Sequence, residues 1–310
     1  MNYDDDLSAG LQAWQLGTIV SVRRHGRGLN SVTWMVTADT GVWIVKAVPA
    51  TDAAQFNAGL AVAAHLEAAG LRAGAPRITR MGDLSMARAD AQVAVLPFIA
   101  GRAIDPTNPG EQQLWGATLG RAHCILRRAV RPAGVMEWHW VDVTAAHLDV
   151  RPWVRPAIRE AVAEMSAVQQ RMPLTPGLLH ADAGPNSILI DASGQVAIID
   201  WGAVTWGPLV YDVASSRICL QDDTGFGRFL SGYLSIVPLP AEELTALPTF
   251  VRFRWAVQAD YFARRLWTPE STGLADMTDN EKGLAEACRH LLGSRTPCRP
   301  RMQPPEQPRE

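Results

Sequence analysis

The chain has 310 residues, 47% hydrophobic and 19% charged, with a formal net charge of −2. This is a globular mix with room for two lobes, and it gives no basic signature for nucleic acid or for an anionic membrane. No apolar run reaches the roughly 18 residues that span a bilayer, and the acidic start MNYDDDLSAG is no signal peptide.

The four cysteines are scattered without CxxC spacing, which argues against zinc and for free thiols in a reducing compartment. The expected setting is the cytoplasm, as a monomer or small homo-oligomer. From the N-terminus, GTIVSVRRH reads as a strand, HGRGLNS (25–31) as a Gly-rich turn and SVTWMVTA as a second strand. ADTG is a tight turn, and VWIVKAV is a third strand with period-2 alternation. Residues 52–69 carry apolar positions at helical spacing, and Gly70 ends that helix. Short strands are expected near 74–79, 84–88 and 92–97, and FIAGRAIDPTNPG (98–110) reads as a hinge.

The character then changes. Residues 111–128, 152–171, 208–220, 225–235, 240–268 and 276–293 read as helices, interrupted by the short apolar runs ILI and VAIID. The Pro-rich, charged tail reads as disordered. The expected organisation is an N-terminal lobe over 1–98, a hinge over 99–110, a C-terminal lobe over 111–295 and a tail over 296–310.

Two features point to chemistry. Of 29 basic residues only two, Lys46 and Lys282, are lysines. A lysine inside a strand of this arginine-rich chain is either a snorkelling strand lysine or the ligand of a narrow phosphate site, where a compact ammonium fits and a guanidinium does not. The second feature is LLHADAGPNSILI (178–190), followed by VAIIDWG. It sets Asp182 before one short strand and Asp200 after the next.

In this order the parts resemble the aminoglycoside phosphotransferase / choline kinase-type small-molecule kinases. The family's loop usually reads H-G-D-x-x-x-x-N, against His180-Ala181-Asp182 here, and its second carboxylate opens I-D-W, as Ile199-Asp200-Trp201 does. GPLVYDVAS (207–215) looks like the family's G-D-P-x-x-D-L-A, with Asp212 at the aspartate. The resemblance implies an α+β, bilobal protein-kinase-like fold, with a small antiparallel-sheet lobe and a larger, mainly helical one. It implies transfer of the γ-phosphate of ATP or GTP to a hydroxyl of a small molecule such as an antibiotic, an amino sugar, an amino alcohol or homoserine. Asp182 matches the catalytic base, Asp200 a Mg²⁺ ligand, and Lys46 the phosphate-binding lysine. The backbone of the 25–31 turn, around Gly28, would cover the phosphates, with Ser31 adding a hydroxyl. His180 would brace its loop, and Asp212 is expected to be a buried helix-end acid.

Two positions depart from the pattern. The family's metal-binding Asn falls on Ser187, with Asn186 one place early, so either is a candidate ligand. The helix acid that pairs with the lysine is missing: Asn57 and Gly59 stand near its place. Glu67 lies ten residues beyond Asn57, roughly 15 Å along a helix. These departures raise the alternative of a degenerate kinase-fold protein that binds nucleotide or a partner without turnover. For the acceptor, Trp138, Trp140, Trp201 and Trp206 with Asp222, Asp223 and Asp260 suit a sugar or a cationic amine.

Overall fold

The computed structural model describes residues 10–25, 30–138, 141–268 and 278–293. Its N-terminal part is a five-stranded antiparallel sheet in the order β1-β2-β3-β5-β4. The strands are β1 (Ile19–Arg24), β2 (Val32–Ala38), β3 (Gly41–Pro49), β4 (Met86–Arg88) and β5 (Ala91–Pro97), with helix α1 (Ala53–Ala68) between β3 and β4. Alternation sorts the residues of the sheet onto two faces. Trp34, Val36, Val45, Val93 and Val95 pack with Leu11 and Trp14 on one face. Val48 and Ala94 pack with Phe56 and Leu60 of α1 on the other. Lys46 is two residues from Val48 and pairs with Ala94, so it projects on the α1 side.

The segment 74–79 is no strand. Gly74 takes φ +69° and Pro76 lacks a donor, so only Arg77 bridges to Val95. The strand expected over 84–88 shortens to β4.

The rest of the chain is mainly helical: α2 (Pro109–Leu126), α3 (Val154–Arg171), α4 (Val210–Arg217), α5 (Asp223–Leu234), α6 (Ala241–Thr245), α7 (Leu247–Trp267) and α8 (Thr278–Leu292). Asn108 caps α2 by accepting from the N–H groups of Gly110 and Glu111, with Pro109 in the first turn. The single helix expected over 240–268 divides into α6 and α7, because Pro248 is tolerated only in a first turn. Six short strands punctuate this part: β6 (Arg102–Ala103), β7 (Met136–Glu137), β8 (Pro176–Leu179), β9 (Ile188–Ile190), β10 (Val196–Ile198) and β11 (Thr205–Pro208) make two three-stranded sheets, β10-β9-β6 and β7-β11-β8.

One large core, including Trp115, Leu119, Tyr211, Phe229, Phe250 and Phe253, unites α2, α4, α5 and α7 beneath these strands. Cys124 and Cys219 are free thiols. Cys288 is disulfide-bonded, which corrects the expectation for that residue: sequence spacing does not register partners brought together by folding. Cys298 lies outside the described residues. No helix among the described residues is long and apolar enough to cross a membrane.

Candidate active site

The runs ILI and VAIID form the β9–β10 hairpin, so Asp182, before β9, and Asp200, after β10, emerge at the same end. His180 ties the two loops together. Its Nε2–H donates to the Ile199 carbonyl at 2.9 Å, and its Nδ1 accepts the Asp182 N–H at 3.3 Å. These bonds assign the tautomer. Its ring packs against Trp201, centroid to centroid 4.6 Å. The Ile199 N–H donates to the Ser187 carbonyl at 2.8 Å and joins the loops a second time.

Asp212 is fully buried in the first turn of α4. Its carboxylate accepts the His180 N–H at 2.6 Å and the Ala181 N–H at 2.8 Å. The same carboxylate accepts the Nε2–H of buried His123 at 3.0 Å, and the Nδ1 of His123 lies 2.8 Å from the Tyr233 hydroxyl. Burial, reinforced by the negative charge of Asp212, pushes the Tyr233 hydroxyl upward, which keeps it protonated. Asp212 is thus the buried acid expected, and its work is to hold the loop backbone.

Both loops contain a residue in the left-handed region: Ala181 at φ +65° and Asp200 at φ +66°. The first explains why glycine suits the position between His and Asp. A left-handed conformation costs a side-chain-bearing residue about 1–2 kcal/mol, and Asp212 holds Ala181 there through its N–H.

Lys46 reaches across from β3, and its Nζ pairs with Asp200 Oδ1 at 2.6 Å. Asp200 sits deep between the lobes, yet 61% of its side-chain surface is open to water. Burial raises its carboxyl. The charge and hydrogen bond of Lys46, the nearby His180 and the Gly202 N–H outweigh that, so it lies below the usual carboxylate range. Asp200 is therefore the lysine's partner that the helix lacks. Asn57 is engaged elsewhere, accepting from the Ser85 hydroxyl. Glu67 is also engaged, accepting the Ala73 N–H at 2.8 Å. Gly59 instead permits close packing: a Cβ there would sit 2.3 Å from the Trp201 carbonyl oxygen. Gln55, which sequence reasoning passed over, donates from α1 to the Val204 carbonyl in the same segment.

Around Asp182 the donors are hard oxygens. Ser187 Oγ donates to the Asp182 carbonyl at 3.1 Å, and Asn186 is exposed on the Pro185–Ser187 turn. Among the described residues no cluster of three His, Cys, Asp or Glu forms a self-contained metal cage. One open carboxylate with neighbouring oxygens suits a Mg²⁺-type ion that takes its remaining ligands from phosphate and water. Ser31 is buried at the edge of β2, and Gly28 lies outside the described residues.

The acceptor side differs from expectation. Trp138 and Trp201 are core residues, Trp206 takes the Arg131 guanidinium over its ring at 5.6 Å, and Trp140 lies outside the described residues. Asp222 caps α5, Asp223 pairs with Arg217 at 2.9 Å and Asp260 with His147 at 2.7 Å. The residue that does face Asp182 is Arg254 of α7, with Nη2 3.2 Å from Asp182 Oδ1. Sequence reasoning missed it, because one arginine among so many carries no signal.

Two carboxylates thus stand on adjoining loops, with a strand lysine at one of them. The phosphotransferase enzyme family model matches residues 21–242, and the chain belongs to that family. It is a small-molecule kinase with a hydroxyl acceptor. It is 26% identical over 269 residues to a homoserine kinase of Rhodopseudomonas palustris (strain HaA2), covering 80% of each chain. A homoserine kinase of Brucella anthropi is also 26% identical, over 262 residues, again with 80% of each covered. Among solved structures, the amicoumacin kinase hAmiN in complex with AMP-PNP, Ca²⁺ and Ami superposes with a TM-score of 0.73 at 16% identity, covering 96% of each chain. The choline kinase LicA of Streptococcus pneumoniae superposes with a TM-score of 0.63 at 14% identity, covering 91% of this chain and 99% of that one. At these identities the structures show the fold alone, which is protein-kinase-like.

Proposed function

We propose that the protein transfers the γ-phosphate of ATP to the hydroxyl of a small amino alcohol or amino acid, with homoserine as the leading acceptor. The observation that carries this is the pairing of Lys46 with Asp200 beside the His180-braced Asp182 loop. The curated homoserine kinases weigh toward that acceptor over an antibiotic, because they are 26% identical to this chain, against 16% for the amicoumacin kinase.

Asp182 accepts the proton of the acceptor hydroxyl as its oxygen attacks Pγ in line. The bond from Pγ to the β–γ bridging oxygen breaks, and ADP leaves. Lys46 holds the nucleotide phosphates and orients Asp200. Asp200, with Ser187 or Asn186, would hold Mg²⁺, which when bound neutralises phosphate charge. Ser31, at the start of β2, would add a hydroxyl donor to the phosphates. GTP is the second candidate donor, and the setting is the cytoplasm, where both nucleotides are plentiful.

Titration with ATP and with GTP by calorimetry, with and without Mg²⁺, tests this reading. Magnesium-dependent binding that Asp200→Ala abolishes is expected. Binding indifferent to both Mg²⁺ and Asp200, or no binding, overturns it in favour of a scaffold without turnover.

A further inference from the structure

The wall opposite Asp182 is basic. Arg254 pairs with Asp182, its side chain is only 15% exposed, and its Nε is a buried donor with no partner. Beside it lies the buried Tyr211, with Ser215 next to it. Two turns further along α7, Tyr261 donates to Asn30 Oδ1 at 2.9 Å, which links this wall to the other lobe. The guanidinium groups of Arg264 and Arg265 both lie over the Tyr261 ring, at 5.9 and 5.6 Å. The acids that a cationic acceptor would need are committed elsewhere: Asp222 to a helix cap, Asp223 to Arg217, and Asp260 to His147. An acceptor with a quaternary or primary ammonium and no acid would bring its charge against a guanidinium and compete with it for the Asp182 carboxylate. An acceptor bearing a carboxylate would find a charged, planar donor pair already desolvated and aimed at the reacting centre.

We infer that Arg254 is the specificity-determining residue of this kinase, and that it selects acceptors carrying a carboxylate a few bonds from the phosphorylated hydroxyl. This rests on the kinase reading above. The geometry sets the reach. Arg254 Nη2 and Asp182 Oδ1 are 3.2 Å apart. One acceptor that hydrogen-bonds both, at about 2.7–2.9 Å each, must present its hydroxyl and its carboxylate within roughly 5 Å of each other. A short hydroxy acid does so, whereas a large aminoglycoside does not. Binding such an acid also shifts Arg254 N–H groups from Asp182 to the substrate, which frees a carboxylate oxygen to take the hydroxyl proton.

The test uses the full chain with Mg·ATP and a panel of paired acceptors: L-homoserine, L-serine and L-threonine, the carboxamide of each, and choline. Nucleotide binding is titrated in parallel. The expected result is turnover of at least one free acid, with kcat/KM about 10- to 100-fold above its amide, the effect of one charge-assisted bond. Arg254→Met should bring that ratio to within about threefold of unity, and Arg254→Lys should restore part of it. If Arg254 only tuned Asp182, both substrates would fall together and the ratio would persist, which overturns the proposal. Preference for choline or for the amides overturns it too, as does turnover of no acid while Mg·ATP still binds; in these cases the kinase reading stands. Loss of magnesium-dependent nucleotide binding removes both.

Discussion

Asp212 supports the catalytic loop without touching the reaction, and its removal should show that dependence. Asp212→Ala would strand the His180 and Ala181 N–H groups and the His123 Nε2–H in a fully buried site. Each stranded group costs about 1–3 kcal/mol. Breaking a buried charged network costs about 3–5 kcal/mol as a whole, a large share of the roughly 5–15 kcal/mol that holds a domain folded. Asp212→Asn is the more informative change. An amide oxygen at the Oδ2 position keeps the His180 N–H and the His123 Nε2–H, but its NH₂ then faces the Ala181 N–H, so one bond is lost and one repulsion is gained. We expect a loss of about 2 kcal/mol, read as a fall in Tm of roughly 4–8 °C. The larger effect should be on kcat. Ala181 holds its left-handed conformation through Asp212, and a 1 Å displacement of Asp182 costs on the order of 100-fold in rate. Thermal unfolding and steady-state kinetics, both on protein still folded at the assay temperature, check this. A variant with Tm within about 1 °C and kcat within about twofold of wild type would refute the assigned role of Asp212.

Gly59→Ala should destabilise even though alanine favours a helix by about 1 kcal/mol. The new methyl meets the Trp201 carbonyl at 2.3 Å, a backbone atom that cannot turn aside, and overpacking of this kind costs about 1–3 kcal/mol; a rise in Tm would contradict the packing described. Acid should unfold the chain in a defined window. Hydrogen bonds from Arg102 and the Asp105 N–H hold Glu111 at about 2, and those from Ser193, Gln195 and Arg72 hold Asp191 at about 2. Their folded-state values are depressed, so their stabilisation is full above the unfolded carboxylate range and is lost as pH falls from about 4 toward 2. Glu111→Gln with Asp191→Asn should flatten the pH dependence of Tm across that window and leave it unchanged near neutrality. Ser187→Asn supplies the amide oxygen that the family places there, and should lower the Mg²⁺ concentration for half-maximal activity; an unchanged or higher requirement would show that position 187 does not reach the metal.

The two-lobe architecture was legible because it is written in local signals: alternation in VWIVKAV, helical spacing over 52–69, and the change of character past residue 110. Asp182, Asp200 and Lys46 were legible because the strand lysine, H-A-D and I-D-W, weak singly, stand in the order and spacing of the family they resemble. The partners of these residues were not. Lys46 finds Asp200 across 154 positions of sequence, and Asp182 finds Arg254 across 72. No periodicity encodes such pairs. The Trp and Asp residues proposed for the acceptor misled for a related reason. Composition counts aromatic rings and acids, but only the fold shows that Trp138 fills the core and that Asp260 is already paired with His147.

The missing helix acid and the Ser187 substitution would, taken alone, favour a scaffold that has lost its chemistry. The backbone argues otherwise. Among the described residues four non-glycines adopt positive φ, and two of them, Ala181 and Asp200, flank the same site. Each carries a cost of order 1–2 kcal/mol. Both are held in place by buried groups, Asp212 on one side and the His180 bridge to Ile199 on the other. The Lys46–Asp200 pair takes over the charge balance that a helix acid would supply, and it does so at the carboxylate proposed to hold Mg²⁺. Gly59 and Gln55 then press α1 onto the Trp201–Val204 backbone, so the helix positions Asp200 by packing and a hydrogen bond where relatives use an ion pair. The departures in sequence are thus matched by compensations in structure at the same atoms. A chain released from catalysis would have no reason to keep two strained residues braced in this way.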